Sequence, residues 1–300
     1  MSINSTHSIK IQSVEFTDKL KAYFNLTKFR LSSLVVFSTV IGFVLAHKTP
    51  IDYMAITLLS IGGFLVAASA NTFNQVIEID LDKLMTRTMN RPLPTGVLSK
   101  FEGITFALFA GVVGLTILYI NFNLALVLWS FVSLVLYSFV YTPLKQKSSV
   151  AVLVGAIPGA LPPLLGWVAL TGEVSIEAIC LFGIQFFWQF PHFWAIAWVL
   201  DEDYSKAGFK LLPGGGKKDI NTAFQIMIYT LVLIPVSLLP LKLGLTGINS
   251  AMIALVCGVI FLALTFYLMK TCSKQAALRI MFGSFLYLPI VQIAFIIDKV

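Results

Sequence analysis

Charge is scarce in this sequence. Only 12% of its 300 residues are Asp, Glu, Lys or Arg, whereas a soluble domain averages about 25%. With 58% hydrophobic residues and a mean hydropathy of +0.89, the chain cannot cover itself with a water-exposed surface. Lipid must therefore surround most of it, and the backbone polar groups need partners within the protein.

Cysteine is also scarce. Cys180, Cys257 and Cys272 fall in apolar stretches without metal or redox spacing, which predicts small core residues and excludes a disulfide framework. The apolar stretches are about 20 residues long and do not alternate with polar residues, which favours membrane helices over barrel strands. Residues 1–28 are polar and contain no short apolar segment before a cleavage site, so no cleavable signal peptide is expected.

These features predict an all-α protein, a polytopic membrane helix bundle of about nine transmembrane helices. A polar N-terminal arm over residues 1–28 is expected to precede a membrane domain over residues 29–300. The predicted spans cover residues 29–47, 52–79, 102–120, 123–142, 149–170, 175–200, 220–240, 246–270 and 278–297.

The basic residues predict the orientation of the bundle. Eighteen of them fall in the N-terminal arm and in the loops after the second, fourth, sixth and eighth spans, and three fall on the other side, namely Lys48, Lys242 and Lys299. Cytoplasmic loops carry the excess of Lys and Arg, so the N-terminus is expected in the cytoplasm and the C-terminus outside. Because orientation accounts for the net charge of +7, nucleic acid is not expected as a partner.

One helix face at the end of the second span carries an amide and two carboxylates. Asn74, Glu78 and Asp82 recur every four residues, Asn71 joins the same side, and Asp80 lies nearly opposite. Carboxylate and amide oxygens suit Mg²⁺, which usually keeps several waters and bridges to substrate phosphates. A solvated helix end is the alternative interpretation, although acids at such a membrane boundary are functional by default.

The following loop adds basic and polar side chains. Arg87 and Arg91 offer planar, bidentate donors to phosphate or carboxylate, and Asn90 lies between them. Taken alone, the two arginines are also consistent with membrane orientation only. Beside the carboxylates, they favour a site for an anionic group that is held together with a metal ion.

These motifs together resemble the UbiA-type intramembrane prenyltransferases, and within them the branch that acts on protohaem IX. The resemblance runs from about Thr27 to the C-terminus. It rests on Asn74-x-x-x-Glu78-x-x-x-Asp82 with its Arg-rich continuation, and on residues 141–145, 155–163, 166–167, 189–194, 203–204 and 211–213. Glu78 replaces the usual Asp, His192 stands near the start of the superfamily's second Asp-rich motif, and Phe29 replaces a proline.

The resemblance implies farnesyl transfer from farnesyl diphosphate to a vinyl group of protohaem IX, with Mg²⁺ as cofactor and haem as substrate. The implied metal ligands are Asn74, Glu78 and Asp82. The implied catalytic residues are these three with Arg87, Arg91, Tyr141 and Lys145. The implied substrate-binding residues are Asn71, Asn90, Lys145, His192, Asp203 and Lys206. Which basic residues bind diphosphate and which bind haem propionates stays open.

The sequence leaves alternatives for the aromatic residues, for His192 and for the acceptor. Aromatic rings could stabilise an allylic cation, and the candidates are Phe73, Tyr137, Tyr141, Phe187 and Trp188. His192 is either a haem-facing residue or a hydrogen-bonded structural one. The rival functions are a prenyltransferase with an aromatic quinone-precursor acceptor and a non-enzymatic haem-binding membrane protein. A bacterial inner membrane is the expected location, and the lipid bilayer, a haem A synthase and a terminal oxidase assembly are candidate partners.

Overall fold

The computed structural model describes residues 16–47 and 50–300. Residues 1–15 and 48–49 lie outside the described residues, and they include Lys10 and Lys48, two of the basic residues that predict the orientation. The helices are α1 (Phe16–Leu26), α2 (Phe29–Ala46), α3 (Tyr53–Ile77), α4 (Ile79–Asp82), α5 (Lys100–Asn121), α6 (Leu124–Val135), a π-helical segment (Leu136–Tyr141), α7 (Thr142–Leu144), α8 (Val150–Thr171), α9 (Ile176–Val199), α10 (Asp201–Lys206), α11 (Pro213–Gly216), α12 (Ile220–Ser237), α13 (Leu239–Lys242), α14 (Ile248–Thr271) and α15 (Lys274–Ile297).

Nine segments within the described residues are long and apolar enough to cross a membrane, which confirms the predicted fold class. Most span ends lie close to the predicted residues, and two features of the helices differ from the prediction. The last span begins at Lys274 rather than at residue 278, because Ser273 caps the helix by accepting the N–H of Ala276. The polar arm contains a helix, α1, that packs on the bundle.

Four helices form the centre of the bundle. α2 packs on α8, α8 on α9, α9 on α15, and α15 returns to α2. Glycine allows the close approach of α2 and α8, since a Cβ at Gly42 would collide with the carbonyl oxygen of Pro163, and one at Gly166 with that of Thr39. Small residues at such contacts let membrane helices pack tightly. α3, α5 and α6 pack on one flank of this centre, and α12 and α14 on the other.

Buried amides connect the central helices. Pro163 has no N–H, so the carbonyl of Gly159 loses its helical donor, and Gln185 Nε2 supplies one from α9 at 2.8 Å. Gln292 Nε2 of α15 donates to Gln185 Oε1 at 3.2 Å, and Ser38 of α2 donates to Gln292 Oε1 at 3.2 Å. The chain of hydrogen bonds thus replaces the missing backbone donor and ties four helices together in lipid.

The loops after the second, fourth and sixth spans meet on one side of the bundle. Gln146 Nε2 donates to the carbonyl of Ala207 at 3.0 Å, and the N–H of Lys210 donates to the carbonyl of Lys145 at 2.8 Å. Asp203 accepts from the backbone of the loop that follows α4. These three loops cover the end of α3.

Candidate active site

The three predicted ligand residues lie at a break in the helix. α3 ends at Ile77, where Glu78 adopts φ −97° and ψ 14°, and α4 begins at the next residue. Hydrogen bonds from Glu78 N–H to the Asn74 carbonyl (3.0 Å) and from Asp82 N–H to the Glu78 carbonyl (2.7 Å) bridge the break. Asn74, Glu78 and Asp82 are therefore kept on one side, and all three are buried.

Each of these side chains is matched by a basic one. Lys145 Nζ lies 2.5 Å from Glu78 Oε1. Arg91 donates to Asp82 Oδ2 at 2.7 Å. Lys28 donates from Nζ to Asn74 Oδ1 at 3.0 Å. Buried carboxylates need such partners, because an uncompensated buried charge is strongly destabilising.

A second layer orients the amide of Asn74. Its Nδ2 donates to Glu78 Oε2 at 2.9 Å and to Thr142 Oγ1 at 3.1 Å. Thr142 follows the π-helical segment and donates in turn to the carbonyl of Tyr137 at 2.8 Å. π-Helical segments often occur at functional sites, and here the segment leads directly into Thr142 and Lys145.

The buried cations perturb one another. The pKa of Lys28 is lowered to about 7, first by burial and then by the neighbouring charges of Arg91 and Lys145, which outweigh the opposing effect of Glu78 and Asp82. Burial also lowers the pKa of Lys145, against the opposing effect of Glu78. Both groups thus favour an additional anion, because its charge would stabilise their protonated forms.

Two carboxylate oxygens retain free coordination capacity. Asp82 Oδ1 is buried without a hydrogen-bond donor in the described part of the chain, and Glu78 Oε1, which the Lys145 ammonium contacts, has a second lone pair. Oxygen ligands of this kind suit Mg²⁺, which takes few protein ligands and completes its shell with water and substrate phosphate. No group of three His, Cys, Asp or Glu side chains is arranged for a metal in residues 16–47 and 50–300, so the residues fit Mg²⁺ only as a partial, substrate-completed shell.

Aromatic rings flank the Lys145 ammonium. Its Nζ lies 5.2 Å from the ring centroid of Tyr141 and 4.8 Å from that of Phe209. Tyr137 packs beside Tyr141, with ring centroids 5.5 Å apart, and its hydroxyl donates to Asn71 Oδ1 at 3.5 Å. Two ring faces therefore already hold a cation at this position.

The other aromatic candidates make different contacts. Phe73 packs on Phe139, whose side chain is half exposed on the outside of the bundle. Phe187 packs on Tyr229, and Trp188 stacks on His192 with ring centroids 4.5 Å apart. Only Tyr141 of the five candidates has a cation contact in the described residues.

Asp203 and Lys206 join two loops. Asp203 accepts from the N–H groups of Thr86 (2.8 Å) and Arg87 (3.2 Å), and Lys206 Nζ donates to Thr86 Oγ1 (2.8 Å) and to Asp203 (3.1 Å). Burial opposes ionisation of Asp203, but these hydrogen bonds outweigh it and lower its pKa to about 2. Arg87 lies over the ring of Tyr204 at 5.9 Å from its centroid. Arg87 and Asn90 are exposed, outside the buried cluster.

His192 is buried in α9, where its neighbours belong to α9 and α15. Its Nδ1 lies 2.8 Å from Ser284 Oγ, and the Trp188 indole N–H donates to the Ser284 carbonyl at 2.9 Å. The ring of Phe285 packs against it edge-on, with centroids 5.0 Å apart. Ser284 thus fixes one ring nitrogen, and none of the contacts described for His192 involves the Asn74 cluster.

The sequence-based site omits Lys28, Thr142 and Phe209. Lys28 is adjacent to Thr27 in a run that the family resemblance includes, but its basic charge is equally explained by orientation. Thr142 falls within the matched run at residues 141–145. Phe209 is one of 25 phenylalanines, and only its contact with Lys145 across two loops distinguishes it.

The UbiA prenyltransferase family model matches residues 35–288. The chain belongs to this family. Among curated relatives of this UbiA member, the protoheme IX farnesyltransferase of Cytophaga hutchinsonii is 54% identical over 283 residues, covering 94% of this chain and 99% of that protein. The protoheme IX farnesyltransferase of Aquifex aeolicus is 38% identical over 287 residues, covering 94% and 96%.

Solved UbiA-type structures share the fold. A structure described for digeranylgeranylglyceryl phosphate synthase superposes with a TM-score of 0.78 at 21% identity, covering 94% of this chain and 98% of that one. A UbiA homologue from Archaeoglobus fulgidus, bound to DMAPP and Mg²⁺, superposes with a TM-score of 0.66 at 15% identity, covering 91% and 99%. The resemblance inferred from the motifs and the predicted fold are both confirmed.

Proposed function

We propose that this chain transfers the farnesyl group of farnesyl diphosphate to a vinyl group of protohaem IX, giving haem O. The observation that supports the chemistry is the buried set of Asn74, Glu78 and Asp82, paired with Lys145, Arg91 and Lys28. The acceptor is inferred from the relatives named protoheme IX farnesyltransferase.

Asn74, Glu78 and Asp82 would hold Mg²⁺, which when bound neutralises charge on the diphosphate leaving group. The unpartnered Asp82 Oδ1 supports this assignment. Lys28, Arg91 and Lys145 bind the diphosphate oxygens, because they are the basic side chains already at the buried cluster. Their fixed positions stabilise the charge that develops as the bond breaks.

In the reaction, the C1–O bond of farnesyl diphosphate breaks and its electron pair leaves with diphosphate. The vinyl group supplies the electrons for the new carbon–carbon bond, and the resulting cation takes up water and releases a proton to give the hydroxyethylfarnesyl chain. The faces of Tyr141 and Phe209 stabilise the allylic cation, because they present negative quadrupoles beside the buried cluster. The covering loops keep water from the farnesyl cation until it reacts.

The haem contacts are assigned by exposure and chemistry. Arg87 and Lys206, which are exposed at the loop junction, bind the propionates. Asn71 and Asn90 line the path by which haem reaches the site, and Asp203 holds the loop that carries Arg87. His192 faces the haem iron with Nε2, because Ser284 occupies Nδ1 and imidazole is a preferred iron ligand. A hydrogen-bonded structural His192 is the alternative outcome.

Incubation of the protein in proteoliposomes with farnesyl diphosphate, protohaem IX and Mg²⁺, followed by mass spectrometry of the extracted haem, tests the function. We expect haem O, no product after removal of divalent cations by EDTA, and recovery when Mg²⁺ is restored. Prenylation of a hydroxybenzoate instead of haem would replace the proposal with the aromatic-acceptor function. Haem binding without any prenyl transfer would indicate a non-enzymatic haem-binding protein.

The proposed location is a bacterial inner membrane with the N-terminus and the site in the cytoplasm. The excess of basic residues in the site-side loops supports this orientation. A Thr95→Cys and a Glu173→Cys variant place exposed thiols on opposite sides of the bundle. A membrane-impermeant maleimide should label Cys at position 173 in intact cells and at position 95 only after lysis, and the reverse pattern would contradict the orientation. Handover of product to a haem A synthase or a terminal oxidase assembly remains a proposal.

A further inference from the structure

Helix α1 packs on the bundle through one face. Ala22 and Leu26 are buried in a cluster with Val76, Leu93 and Leu98. Lys19 Nζ forms an ion pair with Glu102 of α5 at 2.7 Å. The helix is therefore held across the site-side ends of α3 and α5.

A second apolar face of α1 is left exposed by residues 16–47 and 50–300, the part of the chain that the structure describes. The side chains of Phe16, Leu20 and Phe24 are 76%, 54% and 56% exposed. They recur every four residues, so each lies about 40° around the helix from the last and together they form a continuous stripe. The next part of the helix circumference is polar and exposed, and it includes Asp18 and Lys21.

The stripe continues into the membrane-facing surface of the bundle. The rings of Phe24 and Phe29 stack with centroids 5.3 Å apart, and Phe29 packs against Phe64 at 5.7 Å. Phe29 begins the first membrane span, where Leu31 and Leu34 are also exposed. The apolar surface that meets lipid on α2 therefore extends without a break onto α1.

We propose that α1 lies in the plane of the membrane as an interfacial anchor, with Phe16, Leu20 and Phe24 inserted at the boundary between headgroups and acyl chains. Helices with an apolar stripe beside a charged face bind membranes in this way. Lys21, beside Asp18 on the polar face, remains at the headgroups. The occupant of the stripe is lipid, because the stripe is continuous with the lipid-facing surface of α2.

Anchoring α1 also stabilises the turn between α1 and α2, which positions Lys28 at the buried cluster. Lys28 adopts a left-handed conformation with φ 46°, which is unfavourable for a side chain of this kind. The Leu26 carbonyl accepts from Gln75 Nε2 at 2.9 Å, and Thr27 Oγ1 donates to the Phe24 carbonyl at 2.7 Å. The position of α1 thus determines the path of the chain into this strained residue.

Photo-crosslinking of the full chain in phosphatidylethanolamine–phosphatidylglycerol proteoliposomes tests the proposal. One variant carries p-benzoylphenylalanine in place of Leu20, and the matched control carries it in place of Lys21, about 100° further around the same helix. We expect a phospholipid adduct at position 20 in several-fold excess over position 21. An adduct of twice the protein mass would identify a second copy as the occupant, absent lipid adducts would show a solvated stripe, and equal lipid adducts at both positions would show that the stripe is not the inserted face. Each of these results overturns the proposal.

Hydrogen exchange provides a readout that does not depend on catalysis. The triple variant Phe16→Gln, Leu20→Gln, Phe24→Gln should exchange several-fold faster than wild type over residues 24–31, while α14 is unchanged. The control variant Thr17→Gln, Asn25→Gln alters only the exposed polar face and should match wild type. Unchanged exchange in the triple variant would contradict the bracing role of α1.

Discussion

The ends of α3 and α9 have nearly the same backbone. Glu78 adopts φ −97° and ψ 14°, and Leu200 adopts φ −101° and ψ 14°. A short acid-bearing helix follows each, α4 after the first and α10 after the second. The second and sixth spans therefore end in the same local backbone structure.

The two ends differ in what surrounds their acids. The Asp82 side chain is 1% exposed, whereas those of Asp201 and Asp203 are 28% and 15% exposed. Asp82 pairs with the partly buried Arg91 and keeps one oxygen free, while Asp203 is saturated by backbone N–H groups and Lys206. The same helix break thus leads to a buried charged cluster where burial forces charge pairing, and to a loop anchor where the backbone satisfies the carboxylate.

The largest expected effect follows from removing the Lys145 cation at the end of α3. Lys145→Met leaves Glu78 buried without its ion-pair partner and should lower the free energy of unfolding by about 3–5 kcal/mol. The double variant Glu78→Gln, Lys145→Met should recover most of this stability but no activity. Thermal unfolding in detergent measures both.

The exposed pair Lys83–Asp80 provides the matched control for this prediction. Lys83→Met should change stability by less than about 1 kcal/mol, because that pair is solvent-exposed. Equal losses of stability for Lys83→Met and Lys145→Met would contradict the assigned importance of burial.

Asp82→Asn tests whether the free oxygen of the first region serves catalysis. The loss of charge should reduce kcat by about 10²–10³, the range found when one preorganised stabilising group is removed from an active site. Haem O formation in proteoliposomes provides the measurement, and Asp80→Asn, on the exposed side of α4, should remain near wild type. Near-wild-type activity of Asp82→Asn would exclude a metal-binding role for this residue.

A substitution at Phe209 tests whether the loop after α9 and α10 contributes to catalysis at the cluster of Asn74, Glu78 and Asp82. Phe209→Leu removes a ring from the Lys145 cation–π contact and should lower kcat by about two- to thirtyfold, as expected for a cation–π contribution of about 0.5–2 kcal/mol. Phe209→Tyr should retain most of the activity because the ring face remains. Equal defects in both variants would indicate a packing role.

The smallest effect is expected for Asp203→Asn, which weakens the loop anchor without touching the buried cluster. The apparent KM for haem should rise a few-fold while kcat changes little, and the ratio to wild type should be constant from pH 6 to pH 8. With a folded-state pKa of about 2, the anchor is fully present above the ordinary Asp pKa of about 3.9 and is lost as pH falls from there toward 2. A change in that ratio near neutral pH would contradict the anchor.

Hydropathy was sufficient to predict the membrane spans. The second span was predicted over residues 52–79 and is observed as Tyr53–Ile77, because hydrophobic length is imposed by the bilayer. The break at Glu78 and the π-helical segment at Leu136–Tyr141 were not predicted. A hydrogen bond between Asn74 and Thr142, which are 68 residues apart in the chain, connects the two features, and spacing within one helix does not reveal such a contact.

The predicted site divides in the structure. Asn74, Glu78 and Asp82 share a face with the i, i+4 spacing that the sequence contains, and the structure brings Lys145 and Arg91 to them. Arg87, Asp203 and Lys206 lie at the loop junction, Asn90 is exposed in the loop after α4, and His192 lies in α9 facing α15. The roles of these residues in substrate binding stay predictions. Spacing along the chain relates residues of the same helix, and it does not show which residues of different segments meet.

The sequence by itself determined a membrane-spanning helical bundle, its family and the polar helix face at the end of α3, because hydropathy and i, i+4 spacing are local properties. Tertiary structure alone decided which cation meets which acid. It brought Lys28, Arg91 and Lys145 from three separate segments to one buried cluster, and it left the similar acids after α9 at the surface. The physical reason is burial, which makes charge pairing obligatory at the first site and optional at the second.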